Sequence, residues 1–175
     1  MNELNELLEP LEIIAGKMLA ARNLTIACAE SCTGGLLTSR LTDIAGSSAY
    51  VMGSVVSYTN HIKESLVGVR HATLAAHGAV SAETAREMAD GIRHAIGTDI
   101  GIGITGIAGP GGGTATKPVG LVFIAISADK GTIVRENHFT GTRTENKRAS
   151  TETALSMLVE YLSEHRTHQS KGVPL

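Results

Sequence analysis

Tryptophan is absent from the sequence, and only two phenylalanines and three tyrosines occur among its 175 residues. A core formed by this chain must therefore be largely aliphatic. The scarcity of aromatic side chains also argues against single-stranded nucleic acid as a ligand, because its bases stack on aromatic platforms. With a formal net charge of −2, the chain has no general attraction for phosphate backbones either. We therefore expect no nucleic-acid partner and only local sites for anions.

Cysteine is almost as scarce, since Cys28 and Cys32 are the only two in the chain. Two cysteines are too few for a disulfide framework or for a zinc site built from cysteine alone. The seven histidines follow neither the H-x-x-x-H nor the H-E-x-x-H spacing of helical metal sites. The sequence therefore predicts no bound metal.

A long hydrophobic run and a cationic leader are also missing from the amino-terminal stretch MNELNELLEPLEIIAGKMLAARN. Its scattered acidic residues are typical of neither a signal peptide nor a membrane-spanning helix. We therefore expect a cytoplasmic protein without a membrane partner.

The sequence does contain segments of helical and strand periodicity that alternate along the chain. The glycine-rich stretch 109–118 predicts an irregular loop. The predicted helices cover 3–22 (which Pro10 would kink), 33–43, a short segment from Asn60, 81–97 with Ser81 as N-cap and Gly97 as C-cap, and 144–164. The predicted strands cover 24–29, 49–59, 99–106, 119–128 and an edge strand over 131–140.

This alternation, with two nearly all-apolar strands, predicts an α/β domain with helices on both faces of its sheet. No internal repeat, linker or second domain is visible in the sequence. We therefore assign residues 1–165 to a single domain and residues 166–175 to a flexible carboxyl-terminal tail.

Ser31 draws attention because it lies in CAESCTGGLL, at the predicted turn from a strand to a helix. A serine there can cap the helix, join a phosphate cradle or act as a nucleophile, and Thr33 competes for the capping role. Neither G-x-S-x-G nor a P-loop motif is present. GIGITG at 101–106 fits G-x-G-x-x-G only by spacing, so we interpret its glycines as allowing a close backbone or ligand approach.

A second candidate group follows in VSYTNHIK, which places Tyr58 at the end of a strand and Lys63 in the next helix. A neutral lysine can accept a serine proton, provided that its surroundings lower its pKa. Tyr58 can then orient Lys63 or relay a proton. Alternatively, Lys63 is a solvated surface residue and Tyr58 a packed one, and the spacing alone does not decide.

Three longer stretches resemble the C-terminal domain of the competence/damage-inducible CinA family, over about residues 10–160. They are AESCTGGLLTSRLTDIAGSSAYVMGSVVSYTNHIKESLVGV, HGAVSAETAREMADG and ITGIAGPGGGTATKPVG. The resemblance implies a three-layer α/β/α sandwich with a mostly parallel or mixed central sheet. It also implies a homodimer or higher homo-oligomer. The implied activity is that of an amidohydrolase, which removes ammonia from the carboxamide of nicotinamide mononucleotide (NMN) and leaves nicotinic acid mononucleotide, without a cofactor.

By the family's pattern, Ser31 resembles the nucleophile, Lys63 the base and Tyr58 its assistant. We expect backbone N–H groups near Cys32 and Thr33, at the start of the following helix, and in the 46–48 loop to bind the oxyanion. The positions expected to bind substrate are Thr33, Gly34, Gly46, Ser48, Thr105 and Arg143, of which Arg143 suits the phosphate.

The sequence departs from the family's usual Gly-Asp-Arg in the stretch GTRTENK. Thr142 replaces the aspartate, and Lys147 stands where a second arginine is common. The alternative function is therefore a non-catalytic or redirected nucleotide-binding paralogue. A role in DNA processing has only the family's name in its favour.

Overall fold

The structure, a computed structural model, describes residues 9–165 and places five strands between two layers of helices. The helices are α1 (Leu11–Ala21), α2 (Leu36–Thr42), α3 (Asn60–Val67), α4 (His71–His77), α5 (Ala82–Ile96) and α6 (Arg143–Glu164). The strands are β1 (Ile26–Glu30), β2 (Val51–Val56), β3 (Ile100–Gly106), β4 (Leu121–Ala128) and β5 (Gly131–His138), and a short 3₁₀ helix spans Ser47–Ala49.

The sheet is mixed, with the strand order β2-β1-β3-β4-β5. Strand β1 lies parallel to both β2 and β3. Strand β4 pairs with β3 in the antiparallel direction, and β5 pairs with β4 in the antiparallel direction. The parallel strands end together, because Glu30 of β1 pairs with Val56 on one side and with Ile104 on the other. This common carboxyl edge is where open α/β sheets bind ligands.

Alternate residues of the sheet face opposite helical layers, as the two-residue period of a strand requires. Cys28 of β1 and Ile124 of β4 pack with α1, α2 and α6. Ala29 of β1 faces α3, α4 and α5, and Phe123 of β4 packs against α5 on that same side. The three-layer α/β/α prediction is confirmed, and the mixed sheet agrees with it.

The glycines of GIGITG allow α5 to lie directly on β3. A Cβ added at Gly101 would stand 2.2 Å from the carbonyl oxygen of Ala89, and one at Gly103 would stand 2.4 Å from that of Ala85. Any side chain at these two positions would push the helix off the sheet. The motif therefore serves helix–sheet packing, which confirms the close-approach interpretation.

Several element boundaries differ from the predicted ones for local reasons. Helix α1 begins after Pro10 instead of running through it, and residues 3–8 of that predicted helix lie outside the described part of the chain. Helix α2 begins three residues later than predicted because Gly34 and Gly35 adopt positive φ angles of 65° and 94°. The predicted tail 166–175 also lies outside the described residues.

Helix α5 agrees with its predicted ends. The hydroxyl of Ser81 accepts a hydrogen bond from the N–H of Thr84 at 3.1 Å, and Gly97 ends the helix with a φ of 76°. Within residues 9–165, no helix is both long enough and apolar enough to cross a membrane. The same residues contain no group of three or more His, Cys, Asp or Glu side chains placed to hold a metal ion.

Candidate active site

Ser31 is the first residue after β1, at the carboxyl edge of the parallel strands. Its N–H donates to the carbonyl oxygen of Ile104 in β3 at 2.9 Å. The carbonyl of the preceding residue, Glu30, accepts from the N–H of Ser57 at 2.8 Å, just beyond β2. Backbone hydrogen bonds to both neighbouring strands therefore fix the position of Ser31.

Lys63 lies against Ser31 in the interior of the protein. Its Nζ is 3.1 Å from Ser31 Oγ and donates to the carbonyl oxygen of Ser57 at 2.7 Å. The lysine is only 1% exposed. No carboxylate in the described part of the chain forms an ion pair with it.

Burial lowers the pKa of Lys63 from its ordinary value, because the protein interior disfavours the charged ammonium. A larger fraction of the side chain is then neutral near pH 7 than in a solvated lysine. The contact and the lowered pKa together suit Lys63 to accept a proton from Ser31. The solvated-surface alternative for Lys63 is therefore wrong.

Local sequence explains how α3 presents this lysine. The hydroxyl of Thr59 caps the helix by accepting from the N–H of Ile62 at 3.3 Å. Lys63 and Val67 are four residues apart, so they share the buried face of the helix. The start of α3 thus directs the lysine back toward the end of β1.

The turn between β1 and α2 has two backbone N–H groups available. The N–H of Gly35, Leu37 and Thr38 all donate to the carboxylate of Glu30, at 2.9–3.1 Å. By contrast, no hydrogen bond within residues 9–165 uses the N–H of Cys32 or Thr33. Thr33 is 0% exposed, whereas Cys32 lies beside Ser31 and is 8% exposed, so of these two N–H groups that of Cys32 is the candidate oxyanion donor.

Cys32 lies beside Ser31 but is poorly suited to be the nucleophile. Burial raises the pKa of its thiol to about 11. Because the thiolate is the reactive form, the thiol remains protonated and weakly nucleophilic near neutral pH.

Arg143 and Tyr58 meet at the mouth of the site. The guanidinium of Arg143, the first residue of α6, donates to the carbonyl oxygen of Gly109 at 2.7 Å and to the Tyr58 hydroxyl at 3.1 Å. Tyr58 is 60% exposed, so it is not the packed strand residue of the alternative interpretation. Its hydroxyl contacts Arg143, and no hydrogen bond in the described structure joins it to Lys63 or Ser31.

Thr142 takes over the capping role that an aspartate would fill at this position. Its hydroxyl accepts from the N–H of Glu145, and its own N–H donates to the Glu145 carboxylate at 2.7 Å, forming a capping box. Lys147 lies one turn further on, with its Nζ 3.6 Å from the point where a Cβ of Gly34 would stand. Its positive charge therefore lies near the turn that follows Ser31.

These groups open into a cleft of about 280 Å³. Thr105 lies in its wall, and its hydroxyl donates to the carbonyl oxygen of Ala79 at 2.7 Å. No aspartate or glutamate lines the cleft within the described residues, so its charged groups are cationic. Its lining residues are Ser31, Cys32, Tyr58, Asn60, Lys63, Ala79, Val80, Thr105–Gly109, Gly111, Gly112 and Arg143.

Four of the predicted substrate-binding positions lie outside this lining. Thr33 is fully buried with an unpartnered hydroxyl within the described structure, and Gly34 donates its N–H to the Ser31 carbonyl. Gly46 and Ser48 precede β2, so they lie at the amino ends of the parallel strands, whereas Ser31 lies at their carboxyl ends. Five strand residues separate the two ends, which corresponds to about 16 Å. Within one chain, these two residues do not approach Ser31.

Sequence reasoning missed three residues that organise the site. Glu30 holds the start of α2, and Ser57 supplies the carbonyl that anchors Lys63. The buried amide of Asn146 donates to the carbonyl oxygen of Ala108 at 3.0 Å and accepts from the N–H of Gly141 at 2.9 Å. Only Glu30 carried a visible signal, as an acidic residue that ends an apolar strand next to Ser31.

The fold and the site define an α/β sandwich with a buried serine–lysine pair in a cleft at the carboxyl edge of its sheet. The sequence model described as "CinA C-terminal domain" matches residues 8–162. The chain therefore belongs to the family of the CinA C-terminal domain.

Solved structures and relatives agree with this assignment. A competence/damage inducible protein of Agrobacterium tumefaciens is 43% identical and has a TM-score of 0.83, covering 87% of this chain and 95% of that one. The competence damage-inducible protein A of Klebsiella pneumoniae is 32% identical with a TM-score of 0.84, covering 93% and 100%. A Moorella thermoacetica protein, provisionally named competence-damage inducible, is 55% identical over 150 residues, which are 86% of this chain and 36% of that protein. The chain thus spans little more than a third of that curated relative.

Proposed function

We propose that the protein is an amidohydrolase that converts NMN and water into nicotinic acid mononucleotide and ammonia. The observation that carries this proposal is the buried contact of 3.1 Å between Ser31 Oγ and Lys63 Nζ, at the floor of a cleft without carboxylates. A hydroxyl paired with an amine of lowered pKa is equipped for nucleophilic attack on an amide carbon.

In the first half of the reaction, neutral Lys63 removes the proton of Ser31 Oγ as that oxygen attacks the carboxamide carbon. The N–H of Cys32, which lines the cleft, stabilises the negative oxygen of the tetrahedral intermediate. Protonated Lys63 then delivers its proton to the amide nitrogen, the C–N bond breaks and ammonia leaves. The product of this half is an ester between Ser31 and the substrate's acyl group.

In the second half, water attacks the ester while Lys63 removes one of its protons. The proton returns to Ser31 Oγ as the C–O bond to the enzyme breaks, so the acid product leaves and both side chains are restored. The sum is one amide and one water consumed, and one acid and one ammonia formed.

The charges at the cleft support an anionic nucleotide as substrate. Arg143 lies at the mouth and directs its guanidinium at two neutral acceptors, the Gly109 carbonyl and the Tyr58 hydroxyl. A phosphate can replace either acceptor and gain a charge-assisted, bidentate contact. We therefore place the 5′-phosphate at Arg143 and the carboxamide at Ser31.

The test is a product assay with purified protein and a panel of amides: NMN, its phosphate-free riboside, free nicotinamide and glutamine. We expect ammonia and nicotinic acid mononucleotide in equal amounts from NMN, slower turnover of the riboside and none of glutamine. Binding of NMN without ammonia release would instead support the non-catalytic or redirected paralogue.

A homo-oligomer is part of the same proposal. The outer edge of β2 has no neighbouring strand among the described residues, and Met52 and Val56 on it are 45% and 48% exposed. Exposed apolar side chains on an unpaired strand edge favour association. Because Gly46 and Ser48 lie at the other end of the parallel strands, about 16 Å from Ser31 within one chain, their proposed role in substrate binding requires a second copy.

Complementation tests that requirement. Mixed Ser31→Ala and Ser48→Ala chains, each inactive alone, should regain activity if each site takes Ser48 from another copy. Full activity of Ser48→Ala alone would remove Ser48 from the site.

A further inference from the structure

Glu30 is a buried carboxylate that the proposed mechanism does not use. It is the last residue of β1, directly before Ser31, and is 0% exposed. In addition to three N–H groups, its carboxylate accepts the hydroxyl of Thr38 at 2.8 Å. No lysine or arginine among residues 9–165 forms an ion pair with it. Hydrogen bonds from the start of α2 therefore balance its charge.

This arrangement does more than cap a helix. An ordinary cap comes from a short polar residue next to the first turn, whereas Gly35 occupies that position here. Glu30 instead reaches from the strand before the turn and binds the helix after it. The turn is thereby tied at its far end by Glu30 and at its near end by the bond from Ser31 N–H to Ile104.

We propose that Glu30 is a positioning residue for the serine–lysine reaction, an inference that rests on the proposed function. By clamping the turn, its carboxylate keeps Ser31 Oγ at Lys63 and leaves the N–H of Cys32 for the oxyanion. Glu30 does not line the cleft. Its loss therefore lowers kcat while leaving KM nearly unchanged, because the transition state alone depends on this alignment.

The decisive variant is Glu30→Gln, which keeps the size of the side chain but turns an NH₂ group toward N–H donors. We expect kcat for NMN to fall at least about tenfold and KM to stay within about threefold. Glu87→Gln is the matched control. Glu87 also accepts a backbone N–H and a threonine hydroxyl at the start of a helix, from Arg70 at 2.9 Å and Thr73 at 2.8 Å. It lies in α5, and none of its hydrogen bonds in the described structure reaches the turn that holds Ser31; unlike Glu30, it also pairs with the Arg70 guanidinium. The kcat of Glu87→Gln should match that of the wild type, even if both variants melt at a lower temperature than the wild type.

A second readout does not depend on the identity of the substrate. A fluorophosphonate probe should label Ser31, and the labelling rate, followed by mass spectrometry, should fall in Glu30→Gln by a factor similar to that of kcat. If the wild type is labelled but does not hydrolyse NMN, the proposed function fails while the role of Glu30 is still measured. Equal labelling and equal kcat in wild type and Glu30→Gln overturn the positioning role.

Thr38→Val covers the case in which Glu30→Gln does not fold, since it keeps the three N–H donors to Glu30 and removes the Thr38 hydroxyl, which contacts Glu30 and also Ser54 Oγ at 2.9 Å. We expect a smaller loss of kcat, at least about threefold, with KM unchanged. An unchanged kcat in this variant overturns the inference. A wild-type protein that neither hydrolyses NMN nor reacts with the probe overturns both proposals.

Discussion

A cavity lies at each end of the parallel strands, and the two cavities differ in the chemistry of their linings more than in their volumes. The cavity at the amino edge of β1 measures about 350 Å³, against about 280 Å³ for the cleft at the carboxyl edge. Arg22 and Arg93 line the larger cavity and donate to backbone carbonyls. Asp99 and Asp129 add negative charge beside them.

The smaller cleft instead contains a buried amine against a hydroxyl, with no carboxylate in its lining among the described residues. The proposed reaction is therefore assigned to this cleft by the placement of its polar groups and not by the volume of the cavity. The comparison also shows why the carboxyl edge is favoured: strand ends, helix starts and their free N–H groups converge there.

The largest effect in this comparison is expected from Ser31→Ala. Removing the nucleophile should lower kcat for NMN at least about 10³-fold. The variant should fold normally, because the neighbouring backbone bonds to Ile104 and Ser57 do not involve the hydroxyl. Ammonia release and a thermal melt measure the two expectations.

Cys32→Ser is the control for the same stretch and should retain most activity. Loss of turnover in Cys32→Ser together with activity in Ser31→Ala would assign the nucleophile to the thiol.

Lys63→Arg should have nearly as large an effect, a loss of about 10²–10⁴-fold in kcat with NMN binding less affected. Arginine keeps the positive charge but does not deprotonate near neutral pH. A variant that keeps most of the wild-type kcat would show that Lys63 acts only as a charge.

The pH dependence of kcat in the wild-type protein tests whether Lys63 acts as the base. Burial disfavours the ammonium, so the pKa of Lys63 in the folded protein lies below the ordinary value near 10.4. The base is neutral above its lowered pKa, so kcat should rise with pH and level off below the ordinary value. A kcat that falls as pH rises through this range would mean that the protonated lysine is required.

Arg143→Ala should have an intermediate effect, on KM more than on kcat. Loss of a charge-assisted phosphate contact corresponds to an increase of about 10- to 150-fold in KM for NMN. Turnover of the phosphate-free riboside should change little. Arg93→Ala, in the cavity at the other edge, is the matched control and should leave KM for NMN unchanged. If Arg143→Ala lowered activity equally on the nucleotide and on the riboside, Arg143 would have a structural role instead of a phosphate-binding one.

Thr142→Asp should have the smallest effect, within about threefold in KM and kcat. Thr142 already caps α6, and Arg143 is held by Gly109 and Tyr58 without a carboxylate at position 142. A large fall in KM for NMN would show instead that the aspartate common in the family orients the guanidinium.

Much of the fold was predictable because its elements carry local signals. Ser81 and Gly97 mark the two ends of α5, and the apolar strands indicate a sheet covered on both faces. Helix α4 was not predicted, since HATLAAH is a seven-residue segment with little amphipathic pattern. Positive φ angles at Gly34 and Gly35 delayed the start of α2 in a way that helical periodicity does not show.

The site was less predictable because its contacts join distant parts of the chain. Ser31 and Lys63 are 32 residues apart, and Tyr58 and Arg143 are 85 apart. The residues themselves made Ser31, Tyr58 and Lys63 candidates, and family resemblance added Arg143 and the roles, but neither spacing nor composition showed that they touch. The role of Glu30 depends on donors five to eight residues further on, across a turn whose shape is a three-dimensional property.

The most direct test of Ser31 as the nucleophile is to identify the residue that is acylated during turnover. Wild-type protein mixed with NMN and quenched in acid at successive times is digested, and fragment masses locate the adduct. An acyl group is expected on Ser31 and should be absent from Ser31→Ala. An adduct on Cys32, or turnover without any adduct on Ser31 at any quench time, would contradict this role of Ser31.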